Sequence, residues 1–263
     1  MITIRNYVRA QSLEEAWELN QKKANRVIGG MMFLRLGKGT VATAIDLCDL
    51  GLSGITETEE QFEIGAMTPL RDLETHEGLN RYSGGAVREA LCDIVGVQFR
   101  NMATVGGSLY GRYGFSDVLT VFLSMDSYVE LYQGGILPLS EYAAAEHDRD
   151  LLLKLIIKKT PGKFAFRSVR LTKTDLPVLN CACSLLSGEV RTVLGARPMR
   201  ATLVPDPRGI LTGGLTENSV KDFADFCAAT VKTGSNCRGS AAYRTHLVRV
   251  LVEENLKQIG GEE

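Results

Sequence analysis

Apolar positions along the chain recur first with a period near two, then near three and a half, and the two periods keep exchanging. The opening residues predict a strand. Residues 12–24, SLEEAWELNQKKA, predict a helix, with Ser12 as N-cap, acids in the first turn and lysines in the last, as the helix dipole favours. Leu13, Ala16, Trp17 and Leu19 or Asn20 supply its apolar stripe. RVIGGMMFLRLGKG reads as a β-branched stub, a Gly-Gly turn, a helical apolar stretch and a Gly stop. VATAIDLCDL predicts a strand and turn. In QFEIGAM, Phe62, Ile64 and Ala66 alternate with polar neighbours and predict a strand. TPLRDLETH starts a helix with Thr68 as N-cap and Pro69 in its first position. GGAVREALCDIV predicts a second amphipathic helix.

The next stretch, NMATVGGSLYGRYGFSDVL, has no long periodic run and reads as a structured loop of the kind that carries function. DVLTVFLSM predicts a short buried helix, and SYVELYQGG a strand ending in a turn. LPLSEYAAAEHDRDLLLKLIIKK reads as a connector followed by a buried strand from Leu151 to Ile157. Pro161 and Gly162 punctuate a boundary. Beyond it the texture changes. FAFRSVRLTKTDLPVLNCACSLL and EVRTVLGARPMRATLVP predict a hairpin or meander. DFADFCAATV and SAAYRTHLVRVLVEENLKQIG predict helices, the last with a stripe through Tyr243, Leu247, Val250, Leu251 and Leu256.

The 263 residues are enough for one large domain or two smaller ones. Lys plus Arg number 30 against 31 Asp plus Glu, which argues against a nucleic-acid protein. With 44% hydrophobic and 23% charged residues the chain reads as globular rather than disordered. No apolar run reaches the roughly 20 residues of a membrane span. The N-terminus lacks the apolar core of a signal peptide, so a cytoplasmic, reducing location is expected.

The cysteines (Cys48, Cys92, Cys181, Cys183, Cys227 and Cys237) form no C-x-x-C pair, and the expectation is small apolar core residues rather than a metal site. On a strand, Cys181 and Cys183 point to one face. His76, His147 and His246 are expected at the surface. Two glycine pairs stand out, Gly29-Gly30 and Gly106-Gly107. Glycine lets backbone N–H groups approach an anion closely, although a single pair is commonly no more than a tight turn. There is no G-x-G-x-x-G after a strand and no P-loop, nucleophile elbow or zincin pattern. A His-poor chain with glycine loops points to a bound organic cofactor.

The order VIGGMMFL, EIGAMTPLRDLE, VQFRNMATVGGSL, FSDVLTVFLSMDSYVELY resembles the FAD-binding subunits of the molybdenum hydroxylases, the xanthine dehydrogenase and carbon monoxide dehydrogenase family. The most specific piece is Arg100-Asn101-x-x-Thr104-Val105-Gly106-Gly107 with Asp117 downstream. FAFRSVRLTKTDLPVLNCACSL is similar to the family's C-terminal hairpin, and GSAAYRTHLVRVLVEENL to its closing helix. The resemblance implies an α+β chain. It would have a two-subdomain FAD-binding fold of the vanillyl-alcohol-oxidase (PCMH-like) type over residues 1–158, divided near residue 50, and a small C-terminal α+β domain over 159–263.

It also implies a set of FAD contacts. A first loop, Val27-Ile28-Gly29-Gly30-Met31-Met32-Phe33-Leu34, and a second, Thr104-Val105-Gly106-Gly107-Ser108, would cradle the pyrophosphate with backbone amides. The Thr104 and Ser108 hydroxyls would reach phosphate oxygens, Asp117 would take polyol or ribose hydroxyls, and Ile94, Leu152 and Arg167 would line the cofactor. No catalytic residue and no metal ligand is implied. The implied activity is electron transfer from [2Fe-2S] clusters on one partner subunit, fed by a molybdopterin subunit, through FAD to NAD or another acceptor.

Four positions depart from the family pattern. Met31-Met32 stand where Thr-Asp or Ser is usual, and thioethers donate no hydrogen bond. Ser108 replaces an Asn, and Arg167 a Lys. Two alternatives therefore accompany the main reading: a scaffold relative that has lost FAD, and a stand-alone flavin oxidoreductase of the same fold.

Overall fold

The computed structural model describes residues 1–261. Its strands are β1 (Ile2–Arg9), β2 (Arg26–Ile28), β3 (Gly39–Asp46), β4 (Ile55–Glu57), β5 (Gln61–Gly65), β6 (Ser127–Leu131), β7 (Gly135–Pro138), β8 (Leu152–Lys158), β9 (Gly162–Val169), β10 (Leu179–Leu186), β11 (Glu189–Gly195) and β12 (Thr202–Val204). The helices are α1 (Leu13–Asn20), α2 (Leu70–Thr75), α3 (Glu77–Tyr82), α4 (Ala86–Cys92), α5 (Val97–Arg100), α6 (Val105–Gly111), α7 (Asp117–Leu123), α8 (Leu139–Ala144), α9 (Glu217–Thr230) and α10 (Ala241–Gly260). They gather into two compact units that interleave along the chain. The first takes Met1–Leu73, Val97–Gly111 and Ser127–Ile157; the second takes Glu74–Gly96, Arg112–Asp126 and the chain from Lys158 onward. Within 51–158, residues 74–96 and 112–126 pack with the second unit.

The first unit holds a parallel sheet of order β1-β3-β2 and a five-stranded sheet of order β4-β5-β8-β6-β7. One apolar cluster lies over Ala10, Ala16, Ile45, Leu47, Leu52, Leu151 and Leu153, with Trp17 and Tyr132 packed against it. Helix α1 starts as its sequence predicts, because Ser12 Oγ accepts the Glu15 N–H at 3.1 Å. It stops at Asn20, so the lysines expected in its last turn fall outside it. The reason is Arg149, whose guanidinium donates to the Asn20, Lys22 and Asn25 carbonyls and draws the chain out of the helix. In β5, Phe62 and Ile64 are fully buried, as their alternation requires. The apolar stretch after Gly30 forms only a single 3-10 turn at Leu34–Leu36. The connector before β8 contains β7 and α8, which its sequence did not announce.

Thr68 is not the N-cap of α2. Its hydroxyl instead bonds both the N–H and the carbonyl of Gly54, at 2.9 and 3.0 Å. The glycine-rich stretch expected as loop contains one helix, α6, and the short buried helix expected over DVLTVFLSM is α7. Ser116 caps α7 by accepting the Leu119 N–H at 3.0 Å.

The second unit is built on the antiparallel meander β12-β11-β10-β9. Helices α9 and α10 pack together and cover β10 around Cys181, Cys183, Phe223, Cys227, Leu251 and Leu256. The buried stripe of α10 is Arg244, Leu247, Val248, Leu251, Val252, Asn255, Leu256 and Ile259. Tyr243, expected in that stripe, is exposed, and Val250 is only half-buried.

Arg244 is the largest fully buried side chain among the described residues and sits on a face that is apolar apart from Asn255. Its guanidinium donates to the carbonyls of Val178 (2.8 Å), Gly234 (2.6 Å) and Gly239 (2.6 Å) and to Asn236 Oδ1 (2.6 Å). A planar fork of five donors suits that set of acceptors. Arg244→Met leaves them unpaired and lowers stability by about 3 kcal/mol or more. Urea unfolding measures the loss. Arg244→Lys recovers little of it, because an ammonium cannot span four acceptors.

Candidate functional site

The two glycine loops meet within the first unit. Gly29 and Gly30 follow directly on β2 and lie against Met102, Ala103 and Thr104. A Cβ on Gly29 would stand 2.5 Å from Thr104 Oγ1, and one on Gly30 only 1.6 Å from the Met102 carbonyl oxygen. Only glycine permits that approach. Met31 then takes a left-handed backbone (φ 57°), a conformation that costs a non-glycine residue about 1–3 kcal/mol. Phe33 packs edge-on to Phe99 with ring centroids 5.6 Å apart. Among the described residues, the N–H groups of Gly30, Met31 and Met32 donate to no other backbone group.

The second loop is the start of α6, and tertiary bonds hold its first turn. The Val105 N–H donates to the Thr68 carbonyl (3.0 Å) and the Gly106 N–H to the Ala66 carbonyl (2.8 Å). The Gly107 N–H donates to Thr104 Oγ1 at 3.2 Å. The Ser108 N–H donates to the Thr104 carbonyl at 3.1 Å, so four amides expected to face an anion are already paired with the chain. The two glycines differ accordingly. Gly106 is buried, and a Cβ there would come within 2.6 Å of the Ala66 carbonyl oxygen. Gly107 is exposed, and its Cβ would meet only Thr104 Oγ1, at 3.1 Å. Ser108 Oγ donates to the Thr104 carbonyl at 2.9 Å, which leaves its lone pairs but not its proton. The Thr104 hydroxyl accepts from Gly107 and keeps its own proton for an acceptor.

The remaining expected contacts fall elsewhere. Leu152, buried, begins β8 in the first unit. Ile94, half-buried, follows α4 in the second unit. Arg167 lies on β9, where it bonds Asn255 Oδ1 (3.0 Å) and Gln258 Oε1 (2.6 Å) and pairs with Glu254 (3.2 Å), all on α10. Asp117, also in the second unit, is buried at the first position of α7. Its Oδ2 takes Arg170 Nη2 at 2.7 Å and its Oδ1 takes Asn180 Nδ2 at 2.7 Å. Burial pushes its carboxyl above the ordinary carboxylate range, while Arg170 and Asn180 pull it down.

Sequence reasoning missed Ala66, Thr68, Met102, Arg149 and Arg170. Their roles are backbone contacts and long-range pairs that carry no local signal. Arg244 was legible in principle, since it falls on the apolar face of α10 at the spacing of Leu247, Val248 and Leu251.

Among the described residues, no three or more His, Cys, Asp or Glu side chains gather where they could hold a metal ion. Cys181, Cys183 and Cys227 are core residues, with the Cys181 and Cys183 sulfurs 3.8 Å apart, and burial pushes the Cys181 and Cys227 thiols up. Cys48 and Cys237 are exposed and Cys92 is half-buried, unlike the uniform burial expected. His147 and His246 are exposed. His76 instead caps α3, its Nδ1 accepting the Leu79 N–H at 3.1 Å.

The first loop fits a dinucleotide pyrophosphate. It offers unpaired main-chain N–H groups beside a backbone approach too close for any Cβ, and Met31 and Met32 would leave those amides in place. A family model described as the FAD binding domain in molybdopterin dehydrogenase matches residues 2–159, and the chain belongs to that family. The chain is similar along its length to the uncharacterized protein YgfM of Escherichia coli (strain K12), with 28% identity over 260 residues and 95% of each chain covered. It is also similar to the xanthine dehydrogenase FAD-binding subunit of Escherichia coli O157:H7, with 23% identity over 284 residues covering 98% and 97%. Its fold is that of a chain in the reconstituted CO dehydrogenase from Oligotropha carboxidovorans, with a TM-score of 0.86, 22% identity and 99% of each chain covered. The expected two-subdomain FAD-binding fold is thus the fold of this chain. Among the described residues, no helix is long and apolar enough to cross a membrane.

The glycines separate by experiment. Gly30→Ala and Gly106→Ala force backbone apart and cost at least the about 1–3 kcal/mol of ordinary overpacking. Gly107→Ala costs less than either, because its Cβ meets only the Thr104 hydroxyl, a side chain that can give by a few tenths of an ångström, and Ala favours the helix. Thermal denaturation of the three variants reads the contrast.

Proposed function

We propose that this chain is the FAD-carrying medium subunit of a molybdenum hydroxylase. In this reading it stands between [2Fe-2S] clusters on one partner subunit, supplied by a molybdopterin subunit, and NAD or another electron acceptor. The observation that carries the reading is the meeting of the two glycine loops inside the span of the family match. FAD supplies, when bound, a centre that exchanges electrons singly or in pairs.

The chain's own residues bind and orient. The N–H groups of Gly30, Met31 and Met32 take pyrophosphate oxygens, the most direct use for main-chain donors left without backbone acceptors. The Thr104 proton supplements them. Gly107 keeps the start of α6 free of a side chain where a phosphate would approach. Asp117 takes a ribose or polyol hydroxyl with the lone pairs that Arg170 and Asn180 leave over. Val27, Ile28, Phe33, Leu34, Val105, Ile94 and Leu152 are apolar contacts, and Arg167 a cationic one.

One observation favours a second reading, a scaffold that no longer binds FAD. Met31 and Met32 bring thioethers, which donate no hydrogen bond, to the first loop. The two readings part on a simple measurement. The purified wild-type protein is expected to be yellow, or to become so when FAD is added, and to copurify with iron–sulfur and molybdenum subunits. Protein that stays colourless after reconstitution supports the scaffold instead. Gly107→Val is expected to remain folded and lose FAD, because a branched side chain takes the phosphate's place. Stoichiometric FAD in that variant would remove the second loop from the site.

A further inference from the structure

Arg170 has no assigned role, yet it is as buried as the aspartate it meets, with side-chain exposures of 6% and 4%. It follows the end of β9. Its Nη2 reaches Asp117 Oδ2, its Nη1 donates to the Asp175 carbonyl at 2.6 Å, and its Nε is buried without a partner. From β10, Asn180 supplies the second donor to Asp117. Thr120, one turn along α7, sets its Oγ1 3.1 Å from Asn180 Oδ1. Gly195 on β11 makes room for both, since a Cβ there would stand 2.2 Å from Thr120 Oγ1 and 2.3 Å from Asn180 Oδ1. The charged groups that act on Asp117 are Arg170 and, beyond α4, Asp93, whose negative charge opposes ionisation.

A lone carboxylate in such a place would neutralise itself by taking a proton. A protonated Asp117 is a poor acceptor. An ionised one, held by two donors, still offers about two of its roughly four lone-pair sites. We propose that Arg170 is a positioning residue for FAD, keeping Asp117 ionised and oriented so that those remaining lone pairs accept the cofactor's hydroxyl hydrogens. The inference rests on the reading of Asp117 given above. Breaking a buried pair by removing one partner leaves an uncompensated charge, so loss of Arg170 has its effect through Asp117.

The test titrates FAD into the full-length apoprotein and follows flavin fluorescence from mildly acidic to mildly alkaline pH. Wild type is expected to bind with a flat profile. Arg170→Met is expected to bind about tenfold or more weakly at neutral pH, as loss of a charged hydrogen bond implies, and to recover as pH rises and Asp117 ionises. Arg170→Lys restores the flat profile. Asp117→Asn binds weakly at every pH, whether or not Arg170 is present. Arg170→Gln, read in the same way, guards against failure of Arg170→Met to fold. A folded Arg170→Met or Arg170→Gln with wild-type affinity and a flat profile overturns the proposal. If Asp117→Asn is weak in that case, only the role of Arg170 falls. If Asp117→Asn binds as wild type does, the hydroxyl reading of Asp117 falls first and this inference with it.

Discussion

Where Gly30 passes Met102, two stretches of backbone lie so close that a single methyl group would overlap a carbonyl oxygen. The first unit is organised by this approach. It brings the end of β2 against the residues that lead into α6. Those residues are gripped from the other side, where the Val105 and Gly106 N–H groups reach the Thr68 and Ala66 carbonyls and the Leu70 N–H reaches Ala103. Thr68 is in turn tied to Gly54, and the Ala66 N–H to the Leu153 carbonyl on β8. The helix start that looks like an anion site is thus largely spent on holding itself in place. The donors left over belong to the first loop, whose strained turn at Met31 keeps them unpaired.

The second unit depends on buried polar groups rather than close backbones. Arg244 converts four loop acceptors into one rigid knot beneath the start of α10. Asp117, Arg170, Asn180 and Thr120 tie α7 to the meander. Ser184 adds a further bond from β10 to the carbonyl of Ser124, at the C-terminal end of α7. Polar groups this deep persist only when each finds its partner, and truncating one of them costs more than the pair contributes. The same requirement makes the network directional, so the two donors fix the orientation of the Asp117 carboxylate.

Much of this was legible along the chain. Ser12 announced a cap and is one; Phe62, Ile64 and Ala66 announced a buried face and form one. The meander and the last two helices follow their periodicity. Thr68 misled because a hydroxyl before Pro69 looks like a cap, whereas a carbonyl and an N–H fourteen positions earlier in the chain competed for it and won. The stretch around Gly106-Gly107 looked like loop because glycine is a poor helix former. It is helix because remote carbonyls satisfy its first N–H groups. Tyr243 and Arg244 exchanged places in the stripe of α10, since a fork of donors matched the acceptors beneath that face and a phenol did not.

The sequence by itself determined the family, through the order and spacing of its glycine pairs and the Arg-Asn-x-x-Thr run, and with it the expectation of FAD. Local pattern suffices there, because a glycine pair after a strand and a hydroxyl before a helix are short-range demands on the backbone. Only the tertiary structure decided what each of those residues does. It separated Gly106, which packs, from Gly107, which faces outward, and gave Asp117 the guanidinium of Arg170, fifty-three residues away. Such pairings depend on which segments the fold sets side by side, and nothing in the neighbourhood of either residue encodes them.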